Sequence, residues 1–412
     1  MNPPLPDKDD LREKMKALGL RVGARELKPA TAVQRIRIED VIRAREEQTP
    51  LGTALVYEEV YPQTYRHGNI QLTTLDQYQF INDWANIRPQ AENDPQKLLF
   101  LDTETTGLSQ ATGTFAFLIG LGFLRSDGFH IYQIIMPAPP HEAAMLAVLA
   151  RIVADFDTIV TYNGKSFDIP LLQNRHIMHR IPPPFARMQH IDLLHLARKL
   201  WRNRLISRRL GDLEQAILDF RRTQEEVPGW LVPEIYKDYL RTGDARPLSG
   251  VFYHNAVDVL SLAGLFTHIS KMLDQPLGDD MDDLDLAAIG TIFEDMGSFE
   301  EAKSIYARCM NNTLPEEIYL RTLRRLANLY KKERRWEEAI SVWEKLSGQD
   351  IGACIELAKY YEHTARAYPQ ALAWAQKGLE SILYHRSNWL EYDQHELQNR
   401  LRRIEKKMDH SP

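Results

Sequence analysis

Cysteine is scarce in this chain. Two cysteines occur among 412 residues, Cys309 and Cys354, and both lie in apolar helical patterns late in the chain. So few cysteines exclude a disulfide framework and a cysteine-based zinc cluster. The composition is therefore typical of a protein from a reducing compartment.

Long apolar runs are also lacking. The longest, residues 115–124, has ten residues including two glycines, whereas a membrane-spanning helix needs about twenty apolar residues. The N-terminal stretch MNPPLPDKDDLREKM is charged where a signal peptide would be apolar. We therefore expect a cytoplasmic protein with no membrane partner.

Positive charge is not in excess. The net charge is -6 at pH 7, which excludes nonspecific coating of nucleic acid through overall charge but leaves room for a local basic groove. The apolar content of 44% and charged content of 26% are ordinary for a soluble globular protein. The length predicts two or three domains.

Composition and periodicity divide the chain into four segments. We predict a polar N-terminal arm over residues 1–51, an α/β domain over 52–275, an acidic linker over 276–285 and helical repeats over 286–412. Within the arm, helices are predicted at residues 9–18 and 38–47. No motif with chemical content occurs there.

The second segment has the pattern of a mixed sheet. Strands are predicted at residues 54–61, 69–72 and 98–102, followed by a hairpin at 114–124 and 130–137. A helix at 141–156 and a strand at 158–163 come next. This order of strands, helix and strand predicts an α/β domain with helices packed on the sheet. His67 lies in a turn, where we expect it at the surface.

Two carboxylates end the strand at 98–102. Four apolar residues run directly into Asp102 and Glu104, and side chains at i and i+2 of a strand share one face, so these two acids stand together while Thr103 points away. Adjacent buried anions repel each other, and a divalent cation is the usual remedy. A solvated pair of loop acids is the alternative for such a tripeptide.

Two further acids occur in enclosed settings. Asp168 stands between Phe167 and Ile169 at the start of a predicted helix, where it either caps the helix or binds metal. Asp258 lies on a helix whose apolar face must meet the sheet, and a buried acid there needs a partner or a metal. His254, one turn earlier on the same face, is a candidate functional group.

A basic patch follows the predicted sheet. Its cations lie within twelve residues that contain no acid, with Trp201 among them, and such a patch suits contact with a phosphate backbone as well as it suits a solvated helix face. The cations are Arg198, Lys199, Arg202, Arg204, Arg208 and Arg209.

Three segments together resemble the motifs of the DEDD exonuclease superfamily, which has the RNase H-like fold. These are LDTETTGL, YNGKSFDIPLL and YHNAVDV, at residues 101–108, 162–172 and 253–259. The residues within and around these motifs are more similar to those of a bacterial family of uncharacterised RNase H-like proteins that also carry tetratricopeptide (TPR) repeats. The resemblance covers roughly residues 52–275.

The resemblance implies a two-metal site and a nucleic-acid substrate, either DNA or RNA. Two Mg²⁺ or Mn²⁺ ions would be held by Asp102, Glu104, Asp168 and Asp258, and carboxylate oxygens suit these ions better than zinc. The implied reaction is release of mononucleotides from a 3′ end. Contacts to the nucleotide would come from Thr105, Thr106, Gly107 and Leu108, and Asn163 would bond either to the nucleotide or to the Asp168 loop. Independently of the resemblance, the basic patch offers Arg202, Arg208 and Arg209 for contacts to the phosphate backbone.

The third motif departs from the superfamily. The usual base is a histidine five residues before the last aspartate or a tyrosine four before it, whereas here Tyr253 is five before and His254 is four before. Both residues therefore stay candidates for the catalytic group. We favour His254, because an imidazole titrates near neutrality and a phenol near pH 10.

The last segment repeats. Gly290, Phe293, Phe299, Ala302 and Tyr306 recur 37 residues later as Ala327, Tyr330, Trp336, Ala339 and Trp343, and a third, degenerate copy surrounds Ala358, Tyr361, Tyr368 and Ala371. These offsets resemble TPR repeats, which offer a possible site for a protein partner. Because about three repeats are the minimum for a continuous core, we expect the array to pack on the α/β domain, with residues 388–408 as a closing helix.

The leading hypothesis is therefore a metal-dependent nuclease. Two alternatives from other classes are a nucleic-acid-binding module without turnover and a TPR scaffold that recruits a protein partner.

Overall fold

The computed structural model describes residues 35–75, 78–87, 93–107, 113–223, 227–278, 281–311, 313–384 and 390–409. The helix predicted at residues 9–18 lies outside them.

A seven-stranded sheet is the centre of the first domain. Its strands run in the order β1-β2-β7-β6-β5-β8-β9, with β5, β8 and β9 parallel and the other neighbours antiparallel. The sheet is therefore mixed, as predicted. The strands are β1 (Arg45–Thr49), β2 (Gly52–Pro62), β5 (Leu98–Thr105), β6 (Ala116–Arg125), β7 (Gly128–Ile135), β8 (Thr158–Thr161) and β9 (Gln189–Asp192), and β3 (Arg66–His67) pairs with β4 (Ile70–Gln71) in a separate ribbon.

Helices cover both faces of the sheet. The alternation of strand β5 shows this directly, since Leu98 and Phe100 belong to one apolar core, while Leu99 and Leu101 belong to another. The first core contains most of the apolar residues of helix α7 (Leu248–Asp274). The second contains helix α2 (Glu142–Val153) and the beginning of α7. The helices of this domain are α1 (Gln79–Trp84), α2 (Glu142–Val153), α3 (Asp168–Met178), α4 (Leu193–Leu200), α5 (Leu210–Ala216), α6 (Val232–Thr242) and α7 (Leu248–Asp274).

Helix α7 is long and apolar enough to cross a membrane by length and composition alone. However, 83% of the most apolar 18-residue stretch of this helix is buried inside the protein. Val259 and Phe266 pack in the same core as Phe100. The apolar character of this helix is thus accounted for by packing on the sheet.

Two local predictions are wrong, and one strand was missed. The predicted helix at 38–47 is a short 3-10 turn, Ile38–Asp40, followed by strand β1, because residues 45–49 pair across a tight turn with β2. The sheet therefore begins before residue 52. Strand β9 was not predicted, since its four residues include the polar Gln189 and His190. His67 is fully buried: its ring stacks on Phe220 and its Nε2 atom lies 2.7 Å from Ser261 Oγ.

The last segment forms paired helices, and the repeat prediction is confirmed. Gly290 packs so closely on Tyr306 that a Cβ atom there would lie 2.5 Å from the ring, and Ala302, Ala327 and Ala339 are fully buried. The small residues of the repeat are therefore packing positions. The helices are α8 (Asp283–Asp295), α9 (Phe299–Cys309), α10 (Glu316–Lys332), α11 (Trp336–Leu346), α12 (Ile351–His363), α13 (Tyr368–Tyr384) and the closing helix α14 (Leu390–Asp409).

The repeats pack on the α/β domain, as predicted. One apolar core runs from the sheet through Trp201 into the repeats, and the rings of Phe80 and Phe293 are 5.1 Å apart. Lys199 of helix α4 also forms a 2.7 Å ion pair with Asp295 of helix α8. The two parts of the chain therefore share a continuous interface.

Candidate metal centre

Strand β5 and helix α7 bring the predicted acids together. Asp102 and Glu104 share the strand face of Leu98 and Phe100, which is the face that α7 covers. Glu104, His254 and Asp258 each offer a ligand atom within 4.8 Å of the other two. The His254 Nε2 atom lies 3.5 Å from Asp258 Oδ2 and 3.9 Å from Glu104 Oε1.

Asp102 is held beside this group by an amide. Asn255 Nδ2 donates to Asp102 Oδ2 at 2.9 Å, and Gln133 Nε2 in turn donates to Asn255 Oδ1 at 3.0 Å. Gly120 faces Asp102 across the β5–β6 ladder, and a Cβ atom there would lie 2.2 Å from Asn255 Oδ1. The glycine thus leaves the space in which the amide orients the carboxylate.

The carboxylates are in electrostatic conflict. Burial raises the pKa of Asp102 well above its ordinary value, and the charges of Asp258, Glu104 and Asp168 raise it further. Burial also raises the pKa of Glu104, as do the charges of Asp258 and Asp168. Such a set of mutually repelling oxygen ligands fits a divalent cation, which would relieve the repulsion. We call Asp102, Glu104 and Asp258 the acidic cluster.

Asp168 approaches from the other side of strand β5. Its Oδ1 atom accepts a short hydrogen bond from Thr103 Oγ1, and Thr103 points to the face opposite Asp102 and Glu104. Burial raises the pKa of Asp168 to about 6, although the Thr103 bond opposes this rise. The cap position of helix α3 is Phe167, so Asp168 is the first helical residue rather than the cap.

Arg222 was not predicted from the sequence. Its guanidinium donates to both carboxylate oxygens of Glu214 and to Asp258 Oδ1, and its Nη1 atom lies 3.1 Å from His254 Nδ1. Burial alone would lower the pKa of Arg222, but these carboxylates raise it. Arg222 is therefore a fixed positive charge against the acidic cluster. Its only sequence signal is that two arginines, Arg221 and Arg222, stand side by side.

The two candidates for the base face different surroundings. His254 points toward Glu104 and Asp258, whereas the Tyr253 hydroxyl accepts a 3.1 Å hydrogen bond from the backbone N–H of Thr223. A guanidinium can only donate, so Nδ1 of His254 accepts from Arg222 and the proton of the neutral ring lies on Nε2.

The predicted nucleotide contacts lie next to the cluster but are partly used within the protein. The Thr106 backbone N–H donates to Phe115 O at 3.1 Å, and Thr105 Oγ1 donates to Gly107 O at 2.8 Å. The Asn163 backbone N–H donates to Asp192 Oδ1 at 2.7 Å. Leu108, the predicted wedge against the terminal base, lies outside the described residues.

The basic patch is divided between structural and exposed cations. Arg204 pairs with Asp285 at the interface with the repeats, and Arg208 Nη1 donates to the carbonyl oxygen of Leu205 at 2.7 Å. Arg202 and Arg209 are exposed. Trp201 is fully buried, so its ring is not part of the surface that the basic patch presents.

Comparison with known proteins agrees with this architecture. A family model described as RNase H superfamily matches residues 99–270, and one described as tetratricopeptide repeat matches residues 322–350. The fold and the acidic cluster thus define a protein with an RNase H-like domain of the nuclease type, followed by TPR repeats. The chain belongs to the same family as YprB of Bacillus subtilis (strain 168), an uncharacterised protein that is 33% identical over 336 residues, or 79% of this chain and 80% of that protein.

A solved structure is also similar in part. The family B DNA polymerase of the archaeon Pyrobaculum calidifontis matches with a TM-score of 0.35 and 16% identity, over 65% of this chain and 36% of the polymerase chain.

Proposed function

We propose that the protein is a divalent-metal-dependent nuclease that hydrolyses phosphodiester bonds as a DEDD-type 3′-5′ exonuclease. The observation that carries the proposal is the meeting of Glu104, His254 and Asp258, whose ligand atoms lie within 4.8 Å of one another beside Asp102. Burial of these carboxylates without a bound cation would reduce the stability of the folded state.

Mg²⁺ or Mn²⁺ is the proposed cofactor, with two ions per site. Asp102, Glu104 and Asp258 would hold one of them. Asp102 with Asp168 would hold the other, for which the Asp168 carboxylate would have to turn from its hydrogen bond with Thr103 toward Asp102. Bound there, the ions would supply Lewis-acid stabilisation of charge on the attacking and leaving oxygens.

The side chains have distinct proposed roles. His254 is the proposed base, which takes the proton of the attacking water at Nε2. This atom carries the proton of the neutral ring while Arg222 donates to Nδ1. Before His254 can act as a base, Arg222 must therefore leave Nδ1 and the ring proton must move from Nε2 to Nδ1, which frees Nε2 to accept the proton of the water. Asn255 keeps the Asp102 carboxylate oriented throughout.

Cleavage of labelled oligonucleotides tests this proposal. Single-stranded DNA and RNA, labelled at either the 5′ or the 3′ end, are incubated with wild type in Mg²⁺ or Mn²⁺, beside Asp102→Asn as the control. We expect a descending ladder from the 5′ label, early release of the 3′ label, and no products with the variant. Equal products from both proteins would overturn the enzymatic proposal. Products cut at internal positions would show an endonuclease instead of an exonuclease.

A protein partner for the repeats is a second proposal. The TPR match at residues 322–350 supports it, because stacked repeats offer extended binding surfaces.

A further inference from the structure

A cleft of ≈ 520 Å³ lies between the α/β domain and the repeats. Helix α4 and the loop after it form one wall, and helices α8 and α10 form the other. Six cations line the cleft, against a single acid, Asp295. The cations are Arg198, Lys199, Arg202, Arg208, Arg321 and Arg325. We call this site the basic cleft.

Four of these six cations have no carboxylate partner among the described residues. Lys199 pairs with Asp295 at 2.7 Å and Arg325 with Glu294 at 2.8 Å, while Arg208 donates to backbone carbonyls. Within the described ranges, no acid forms an ion pair with Arg198, Arg202 or Arg321, and all three are exposed. The cleft therefore has uncompensated positive charge on both walls.

The basic cleft is connected to the proposed catalytic site through helix α4. Asp192 caps this helix and also accepts hydrogen bonds from the backbone N–H groups of Asn163 and Lys165. At a rise of 1.5 Å per residue, Arg198 lies about 9 Å along the helix from Asp192. The Tyr162 hydroxyl also bonds to the backbone carbonyl of Arg208. The loop after β8 thus lies between Asp168 and the cleft.

We propose that the basic cleft binds the phosphate backbone of the nucleic acid, and that the repeats are therefore part of the substrate-binding surface. This inference rests on the proposed function for the identity of its ligand. Guanidinium groups match phosphate geometry and stay charged at all working pH values. Their presence on both walls lets a strand that leaves the catalytic site pass between the domains. The contact between the repeats and the α/β domain would then serve substrate binding as well as stability.

An acidic peptide is the competing ligand. The connection of the cleft to the loop that holds Asn163 favours nucleic acid, since a bound strand would reach both places. We therefore make peptide binding an outcome of the test.

Binding is measured in the Asp102→Asn background, so that cleavage does not enter. The probe is a fluorescein-labelled single strand of about twenty nucleotides, and anisotropy is recorded at several salt concentrations. The test variant is Arg202→Glu with Arg321→Glu. The control is Lys332→Glu with Arg402→Glu, which makes the same charge change at exposed sites on the repeats. A second variant, Arg202→Lys with Arg321→Lys, keeps the charge.

We expect the test variant to weaken binding by about tenfold or more. The slope of log K against log salt should fall by about 1.4, which is about 0.7 for each of two phosphates that the variant no longer neutralises on a single strand. The control and the lysine variant should stay within about threefold of the parent, since neither removes charge from the cleft. Equal losses in test and control variants would overturn the proposal. The proposal would also be overturned if the oligonucleotide binds the parent and the test variant equally, while an acidic peptide binds the parent but not the test variant. If wild type does not cleave the oligonucleotide but binding still depends on the basic cleft, the nuclease proposal fails and the binding proposal stands.

Discussion

His254 and Asp258 occupy consecutive turns of helix α7, and the Nε2 atom of His254 lies 3.5 Å from Asp258 Oδ2. Tyr253 is instead hydrogen-bonded to the backbone of Thr223. Since one residue faces the acidic cluster and the other does not, His254→Ala should lower the single-turnover cleavage rate by about a hundredfold or more, and Tyr253→Phe by less than about tenfold. Equal losses, or the reverse order, would contradict the assignment of the base.

Arg222 should link folding to metal binding. Arg222→Met leaves Glu214 buried without its charge partner and removes a cation from beside Asp258. Loss of one partner of a buried pair typically costs about 3–5 kcal/mol, so the variant should unfold at lower urea concentration in EDTA. Mn²⁺ should restore more stability to the variant than to wild type, because it supplies the missing positive charge. Arg221→Met, at the exposed neighbouring position, is the control, and equal effects of the two substitutions would refute the role of Arg222.

The fold was predictable wherever local pattern and tertiary packing agree. Strands β5, β6 and β7 are rich in apolar residues, and β5 begins with four of them. The alternation along β5 places Asp102 and Glu104 on one face, as predicted. Residues 45–49 have a helical composition, and their pairing with β2 overrides it.

Within the site, only the residues that belong to the three sequence motifs could be predicted. Arg222 precedes Asp258 by 36 residues and reaches it from a loop, so no spacing rule could connect them. Asn255 lies inside the third motif, yet its role depends on the space that Gly120 leaves on another strand. Trp201 belongs to a basic stretch, but it is buried because the repeats pack over it.

The pKa of Asp168 predicts a pH-dependent stability difference in the absence of metal. Burial raises this pKa from 3.8 to about 6, so the folded state binds more protons than the unfolded state between these values, and the contribution of Asp168 to stability falls as pH rises. Buried histidines oppose this trend in wild type, since burial lowers the pKa of His67 to about 3 and of His268 to about 4.

The comparison with Asp168→Asn tests the Asp168 carboxyl group together with its effect on Asp102 and Glu104, whose pKa values its charge also raises. In EDTA, the stability of the variant relative to wild type should increase from pH 4 to pH 7, by on the order of 2–3 kcal/mol. Urea denaturation at each pH measures this difference. A difference that is constant with pH would show that the pKa of Asp168 is not raised.

Glu362 should hold the closing helix. This buried carboxylate accepts hydrogen bonds from Arg400 at 2.7 Å, Arg403 at 2.6 Å and Lys407 at 2.8 Å. Burial alone would raise the pKa of Glu362, but the bonds from Arg403 and Lys407 lower it to about 2. Glu362→Gln should destabilise helix α14 by about 3–5 kcal/mol, seen as faster amide exchange over residues 393–409. Glu380→Gln, at an exposed position of helix α13, should leave this exchange unchanged, and equal protection in both variants would disprove the role of Glu362.

We propose that the acidic cluster binds a divalent metal ion. Anomalous diffraction from crystals of the full chain grown in millimolar Mn²⁺ tests it directly, with Asp102→Asn crystals as the control. We expect an anomalous peak within about 2–3 Å of carboxylate oxygens of Asp102, Glu104 and Asp258, with Asp258 released from Arg222, and a weaker or absent peak in the variant. No peak at these carboxylates, with the Arg222–Asp258 pair intact in Mn²⁺, would contradict the account.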